Sequence, residues 1–154
     1  MNLEFSFLTK EDIDAVFEIE KNCFDDYWSR DMISAELSNP LSRYLVAKLN
    51  GKIIGFVGSW FILNECHINN VAIHSDFRGN SYSVAMLKKL IEICYEEDID
   101  AMTLEVRKSN EIAINLYKKI GFVMAGIRKE YYSNNKEDAI IMWKNLLEKD
   151  TNIY

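Results

Sequence analysis

Hydrophobic and polar residues follow strand-like and helix-like patterns in turn from the start of the chain. Residues 2–8 alternate loosely, which predicts a first strand. Thr9 then opens a helix, because the Thr9-x-x-Asp12 spacing is close to a capping box and apolar residues follow at intervals of three and four. A second, shorter helix is predicted from Ser29 to the residue before Pro40, the only proline of the chain. Two helices are therefore expected after the first strand.

The middle of the chain predicts three consecutive strands. Residues 44–49 and 52–63 flank the dipeptide Asn50-Gly51, which is the strongest hairpin signal in the sequence. A further strand is predicted over residues 67–73 after a short polar turn.

Helices and strands alternate in the second half. The pattern predicts a helix over residues 81–95, where apolar side chains recur every three or four positions, and a strand over residues 101–106, where they alternate. Another helix is expected over residues 110–119, ending at Gly121, a natural C-terminal cap. The last two predicted strands are residues 122–131 and 139–146. These elements indicate one mixed α/β domain over residues 1–154, with about seven strands and about four helices.

Composition narrows the class of partner. The 154 residues are 49% hydrophobic, enough for a single core. With 24 acidic and 18 basic residues the net charge is -6, which disfavours nucleic acid and weakly favours cationic peptides or amines. The expected location is the cytoplasm without membrane contact, because we find no secretory signal and the longest apolar run, residues 53–63, is broken by glycines and too short for a bilayer.

The cysteines and histidines predict neither disulfides nor a metal site. The three cysteines are widely spaced and include no C-x-x-C pair, which is typical of free buried thiols in a reducing compartment. The two histidines, His67 and His74, have no second ligand at a suitable spacing, so no metal is expected.

The junction between the strand at residues 67–73 and the next helix suits a phosphate. A helix start presents unpaired N–H groups and the positive end of the helix dipole. Arg78 adds a positive charge, and small residues at Gly79, Ser81 and Ser83 let a ligand approach the backbone. The alternative is an ordinary loop in which Ser81 caps the helix.

Several further sequence blocks, taken in their order along the chain, are specific enough to indicate a protein family. The block L-E-V-R-x-S-N at residues 104–110 is followed by A-I-x-L-Y-x-x-x-G-F at residues 113–122. Asn70-Val71-Ala72-Ile73 precedes both blocks, and the stretches 128–132 and 137–142 follow them. In this order the blocks resemble the GNAT superfamily of acetyl-CoA-dependent N-acetyltransferases, most closely the bacterial ribosomal-protein alanine N-acetyltransferases (RimI-like). The resemblance spans about residues 3 to 147.

The resemblance implies a GNAT-like fold with a mostly antiparallel central sheet, and a set of site residues. Glu105 would be the general base and Tyr117 the general acid. Trp28, Tyr131 and Tyr132 would border the acceptor channel. Acetyl-CoA would be the cosubstrate, held by Val71, Ala72, Ile73, Arg78, Gly79, Asn80, Ser81, Tyr82, Ser83, Val84 and Asn110.

The loop departs from the family pattern R-x-x-G-x-G, because Ser81 and Ser83 stand at its two glycine positions. A positive φ would cost a serine roughly 1 kcal/mol or more, whereas a helical φ costs nothing. We expect helical φ angles at both serines, since both lie where the helix begins.

The expected function is direct acetyl transfer to a protein N-terminal amine, and the resemblance implies the N-terminal alanine of a small-subunit ribosomal protein. An α-amine costs only about 1 kcal/mol to deprotonate at pH 7, against about 4.6 kcal/mol for lysine, so one modest base suffices. Asp25, Asp26, Glu137 and Asp138 could attract a basic tail. The alternatives are acetylation of a small amine or lysine, and a silent CoA-binding or partner-binding module. A monomer or weak dimer is expected.

Overall fold

The structure, a computed structural model, describes residues 2–147 and contains seven strands and four α-helices over that range. The strands are β1 Leu3–Phe7, β2 Leu45–Leu49, β3 Lys52–Ile62, β4 Glu65–Ile73, β5 Ala101–Arg107, β6 Val123–Arg128 and β7 Ala139–Asn145. The helices are α1 Ile13–Cys23, α2 Arg30–Ala35, α3 Tyr82–Glu96 and α4 Glu111–Lys119. The predicted fold class and the number of elements are confirmed.

All seven strands form one sheet in the order β1-β2-β3-β4-β5-β7-β6. Neighbouring strands are antiparallel, except that β4 and β5 run parallel. A parallel pair needs a crossover, and α3 supplies it. The mostly antiparallel sheet that the resemblance implied is therefore present.

A bulge in β4 opens the sheet at its centre. One extra residue, Asn69, lies between Ile68 and Asn70, which both pair with β3. Such a bulge bends its strand. The parallel ladder between β4 and β5 ends at Ile68 and Leu104, although both strands continue. Beyond this point the two strands diverge and leave a cleft.

Helices cover both faces of the sheet. On one face α3 contributes a fully buried stripe, Met86, Leu87, Leu90 and Ile91, whose spacing is that of one helix face. The α4 residues Tyr117 and Ile114 pack against the same cluster. On the other face α1 and α2 bury Val16, Ile19 and Ile33 against β2 and β3. The cleft thus opens in a sheet that is packed on both sides.

The helix starts differ from the sequence predictions in two places. A 3-10 turn, Lys10–Asp12, precedes α1, and the capping box is present, with the Thr9 N–H donating to Asp12 Oδ2 at 2.9 Å. At α3 the helix begins one residue late, because Ser81 has φ 61° and ψ 21° in the left-handed region. The expectation of a helical φ is wrong for Ser81, where the chain must turn sharply into α3, and is confirmed for Ser83, which lies within α3.

Candidate active site

A cavity of about 590 Å³ occupies the cleft between the diverging ends of β4 and β5. Its walls come from the end of α1 and the following loop, from β4 and β5, from α4, and from the loop between β6 and β7. Six residues that the resemblance assigned to the site line this cavity: Trp28, Val71, Glu105, Asn110, Tyr117 and Tyr132.

The cavity is lined mainly by acidic charge. Among its ionisable residues one guanidinium, that of Arg107, faces five carboxylates, those of Glu20, Asp25, Asp26, Glu105 and Glu137. A concave site of one sign concentrates ligands of the other sign. The cleft therefore favours a cationic group such as an ammonium.

Glu105 lies on β5 just past the end of the parallel ladder. Its side chain is 31% exposed, and Arg128 Nε donates to Oε1 at 3.1 Å. Within residues 2–147, no donor is bonded to Oε2. This carboxylate can therefore accept a hydrogen bond or a proton from a group in the cleft.

Tyr117 lies on α4 and lines the same cavity. The residue is buried, and its ring centroid lies 5.8 Å from that of Phe122. Burial, followed by the neighbouring Tyr132 hydroxyl, raises the pKa of Tyr117 well above its ordinary value. The phenol keeps its proton at neutral pH, so it can serve as a proton donor.

The strand β4 supplies the side of the cleft to which the resemblance assigned the cofactor. Val71 lines the cavity, whereas Ala72 and Ile73 are buried. Past Ile68 this strand is paired with β3 only. Its edge toward β5 therefore offers backbone groups outside any ladder, and these suit an extended chain that carries amides.

The segment from residue 78 to 84 follows β4 and leads into α3. Gly79 has φ 83° and Ser81 has φ 61°, which lets the chain reverse direction. The first turn of α3 offers N–H groups that have no acceptor within the helix, at its positive end. This segment fits a diphosphate group, with Tyr82 contributing only its backbone because its side chain lies in the core.

The other polar residues of the cofactor side already have partners. Arg78 donates from Nε to the Ile73 carbonyl at 3.0 Å and from a terminal nitrogen to Cys23 Sγ at 3.1 Å. Asn80 donates to the Phe77 and Arg78 carbonyls. Asn110 caps α4 by accepting from the Ala113 N–H at 3.1 Å.

The remaining two residues expected to hold the cofactor lie in the first turn of α3. Val84 packs against the core, while Ser83 is half-buried.

The aromatic residues expected on the acceptor side separate into two groups. Trp28 and Tyr132 line the cavity, whereas Tyr131 does not and is 51% exposed. The two tyrosine rings meet edge to face at 5.1 Å. Burial raises the pKa of Tyr132 to about 12, although the charge of Arg107 acts in the opposite direction.

Arg107 contacts both loops on the side of the cleft expected to take the acceptor; it belongs to the L-E-V-R-x-S-N block, but the sequence analysis assigned it no role. Its guanidinium lies 3.9 Å from the Tyr132 ring centroid and donates to Asn134, Asn135 and Glu137 in the loop between β6 and β7. It also pairs with Asp26 at 3.8 Å. One side chain thus joins β5 to both loops at the mouth of the cleft.

Glu137 and Asp138 accept hydrogen bonds from other residues of the protein. Hydrogen bonds from Ser109 lower the pKa of Glu137, and the backbone N–H of Glu130 lowers the pKa of Asp138. Of the four acids expected to attract a basic tail, Asp25 and Asp26 are the exposed pair at the cavity.

Glu20 is a second residue that the sequence analysis did not assign to the site. It is fully buried at the end of α1, where its carboxylate accepts from Asn70 Nδ2 and, at 3.3 Å, from the Trp28 N–H. Burial raises its pKa to about 7, opposed by the Trp28 hydrogen bond and reinforced by Asp26. The signal for it was a carboxylate four residues after Val16, on the buried stripe of α1.

Residues 2–147 contain neither a cluster of metal-ligating side chains nor a helix that could span a membrane. No group of three or more His, Cys, Asp or Glu side chains in that range is placed to hold a metal ion. None of the helices in that range has the length and apolar character needed to cross a bilayer.

The chain is similar in sequence and in structure to known proteins. The pattern of the acetyltransferase (GNAT) family matches residues 13–122. The ribosomal protein bS18-alanine N-acetyltransferase of Escherichia coli (strain K12) is 36% identical over 141 residues, covering 89% of this chain and 93% of that protein. A Bacillus subtilis protein assigned to the same enzyme class is 42% identical over 139 residues, covering 90% of this chain and 92% of its own. The crystal structure of the Escherichia coli ribosomal-protein-S18-alanine N-acetyltransferase superposes with a TM-score of 0.89 at 30% identity, over 99% of each chain.

Proposed function

This chain belongs to the GNAT acetyltransferase family and is an acetyl-CoA-dependent N-acetyltransferase, and from that premise we propose that its acceptor is the N-terminal amine of a protein. The acceptor we propose is the N-terminal alanine of ribosomal protein bS18, because that is what its relatives are named for. The observation that carries the proposal is the acidic cavity that Glu105 and Tyr117 share.

The α-ammonium of the acceptor is drawn into the cleft by the excess of carboxylates. Glu105, which has an oxygen without a donor in the described chain, accepts a proton from it directly or through one water. The amine that results is neutral and nucleophilic. An α-amine suits this arrangement, since its deprotonation at pH 7 costs about 1 kcal/mol, whereas that of a lysine costs about 4.6 kcal/mol.

Acetyl-CoA supplies the activated acetyl group as a thioester. Backbone groups of β4 around Val71 hold the extended arm, and residues 78–84 hold the diphosphate at the start of α3. N–H groups on the free edge of β4 polarise the carbonyl that is attacked. Tyr117, kept neutral by burial, donates a proton to the departing sulfur, and it is restored by the proton that the attacking nitrogen loses on becoming an amide. Asn110 lies at the start of α4 and lines the same cavity.

Two conservative substitutions test the assigned roles. Glu105→Gln removes the proton acceptor and Tyr117→Phe removes the donor, so each should lower kcat about 100-fold or more with a peptide that begins Ala-Arg. Glu65→Gln is the matched control, because Glu65 is a half-buried glutamate at the opposite end of β4, paired with His67. Rates within a factor of two of wild type for Glu105→Gln or Tyr117→Phe would remove that residue from the mechanism.

The acceptor class is tested separately. An acidic cavity also fits a polyamine or a lysine side chain. Steady-state kinetics with the Ala-Arg peptide, free lysine and spermidine should give the highest kcat/KM for the peptide. A higher value for either small amine would contradict an N-terminal acceptor while leaving the chemistry of transfer intact.

A further inference from the structure

Glu20 joins the two walls of the cleft. Its Oε2 accepts from the Trp28 N–H at 3.3 Å, and its Oε1 accepts from Asn70 Nδ2. Trp28 belongs to the loop between α1 and α2, which forms the acceptor-side wall. Asn70 belongs to β4, directly before Val71 on the cofactor side. A single buried carboxylate therefore holds both walls.

Apart from the packing of Tyr27 on Phe17 and of Trp28 against the core, few contacts fix the acceptor-side loop. Over residues 25–28 its polar contacts with the rest of the described chain are the Trp28–Glu20 hydrogen bond and the Asp26–Arg107 ion pair. That ion pair is 3.8 Å long and its Asp26 side chain is 63% exposed, so water and salt screen it. The hydrogen bond to a buried charged acceptor is the stronger restraint.

We propose that Glu20 is a positioning residue, which sets the acceptor-side wall against the cofactor strand so that a bound peptide terminus meets the reacting centre. The inference rests on the proposed function, because it assumes a peptide acceptor on that wall. Glu20 also lines the cavity, but its side chain has no exposed surface with which to touch the substrate. It acts through Trp28 and Asn70, both of which line the cavity.

The surroundings of Glu20 make this restraint sensitive to pH. The groups that face it are Cys23 on its own helix, Asp26 in the loop, Asn70 on β4 and Tyr44 directly before β2. The Tyr44 hydroxyl is buried without a hydrogen-bond partner in the described chain, and the Arg78 guanidinium is bonded to Cys23 rather than to Glu20. With no cation paired to it within residues 2–147, the carboxylate has a pKa raised by burial to about 7.

Protonation weakens the restraint. Both partners of Glu20 are donors, so the ionised carboxylate satisfies both, whereas a carboxylic acid turns one oxygen into a hydroxyl that needs an acceptor. The wall is therefore held above pH 7 and released as the pH falls through 7. Glutamine at this position resembles the protonated form at every pH.

The test measures peptide binding without chemistry. A hexapeptide that begins N-acetyl-Ala-Arg carries no α-amine, so its binding to the enzyme–CoA complex by calorimetry reports titration of the protein alone. For wild type the Kd should rise about fivefold between pH 8 and pH 6, as expected when protonation of a group with a pKa near 7 weakens peptide binding about tenfold. For Glu20→Gln the Kd should be about tenfold above the wild-type value at pH 8, and constant within twofold down to pH 6. The affinity for CoA itself should change less than twofold.

Glu36→Gln is the matched control. Glu36 is also a buried glutamate with two donors, Trp60 Nε1 and Ser42 Oγ, but it does not line the cleft. Its substitution should leave peptide binding and its pH dependence as in wild type. Should Glu20→Gln fail to fold, Asn70→Ala removes the same link from the β4 side and should weaken peptide binding in the same way.

The outcomes separate the two proposals. A Glu20→Gln variant that keeps the wild-type pH dependence, or a Glu36→Gln variant that loses it equally, overturns the positioning role. Wild-type enzyme that acetylates no Ala-Arg peptide contradicts the proposed function, and with it this inference. Wild-type enzyme that acetylates the peptide while Glu20→Gln binds its product normally contradicts the inference alone.

Discussion

Ser81 carries a backbone conformation that suits glycine. At φ 61° its Cβ lies close to the following carbonyl, which costs a non-glycine residue roughly 1–2 kcal/mol. Two residues later, Ser83 is helical, and there a serine is a better helix former than a glycine. The same replacement should therefore have opposite effects at these two positions of one loop.

We expect Ser81→Gly to raise the free energy of unfolding by about 1 kcal/mol, because it removes the left-handed strain. The Kd for acetyl-CoA should change less than about twofold, because strain that is present both before and after binding cancels in the binding free energy. Ser83→Gly should lower stability by about 0.5 kcal/mol. Urea denaturation and calorimetric titration of acetyl-CoA measure both quantities. Equal signs for the two variants would contradict the assigned backbone conformations.

Above pH 7 the ionised Glu20 carboxylate lowers the free energy of unfolding. Its folded pKa of about 7 lies above its ordinary value of 4.5, so the folded chain binds more protons than the unfolded chain between these pH values. Its contribution is most favourable below pH 4.5 and is lost as the pH rises through 7. Above pH 7 the loss amounts to about 3 kcal/mol, at 1.36 kcal/mol per pH unit. A buried carboxylate that lowers stability this much is better explained by a role in the cleft than by a role in folding.

Elements that depend on local pattern were predictable from the sequence, whereas the cleft was not. The hairpin at Asn50-Gly51 and the amphipathic helix α3 are encoded within a few consecutive residues, and both are confirmed. The bulge at Asn69 depends on how β4 aligns with β3, and an alternating pattern does not reveal cross-strand register. The contact between Glu20 and Asn70 joins residues 50 positions apart, and it needed the fold to be found.

The loop between β6 and β7 is held in place by Arg107 on β5. The planar guanidinium donates to Asn134, Asn135 and Glu137 at 3.0 to 3.3 Å while it stacks on Tyr132. A lysine ammonium is a compact point charge, so it cannot reproduce the several directed hydrogen bonds of a planar guanidinium or its stacking on an aromatic ring. The ordering of this wall thus depends on shape as well as charge.

Arg107→Lys should therefore raise the peptide KM about tenfold and change the KM for acetyl-CoA less than twofold, since the loop it orders lies on the acceptor side. The matched control is Arg43→Lys. Two nitrogens of the Arg43 guanidinium donate to the Glu97 carboxylate, and the guanidinium lies over the Phe61 ring, but Arg43 is outside the cavity. Steady-state kinetics and thermal unfolding of both variants separate the two effects. If Arg43→Lys raises the peptide KM as much, the loss comes from general destabilisation.

Over the whole molecule, the negative charge is concentrated in the cleft. The net charge of -6 is modest, but the cavity has five carboxylates against one guanidinium. Glu105 is paired with Arg128, Glu137 is bonded to Ser109 and Arg107, and Glu20 is buried. Long-range attraction of a cation therefore falls mainly to the exposed pair Asp25 and Asp26 at the mouth.

Neutralising Asp25 and Asp26 tests whether the negative electrostatic potential of the cleft attracts the acceptor peptide. The double variant Asp25→Asn/Asp26→Asn should raise the KM of the Ala-Arg peptide about three- to tenfold at 20 mM salt, because exposed charges act over roughly 20 Å there. At 0.5 M salt the difference should nearly vanish, since screening then limits the field to roughly 4 Å. Asp14→Asn/Asp31→Asn changes the net charge equally on α1 and α2 outside the cavity, and should leave the KM unchanged at both salt concentrations. A similar rise in KM for both double variants would mean that total charge, rather than its position at the cleft, attracts the peptide.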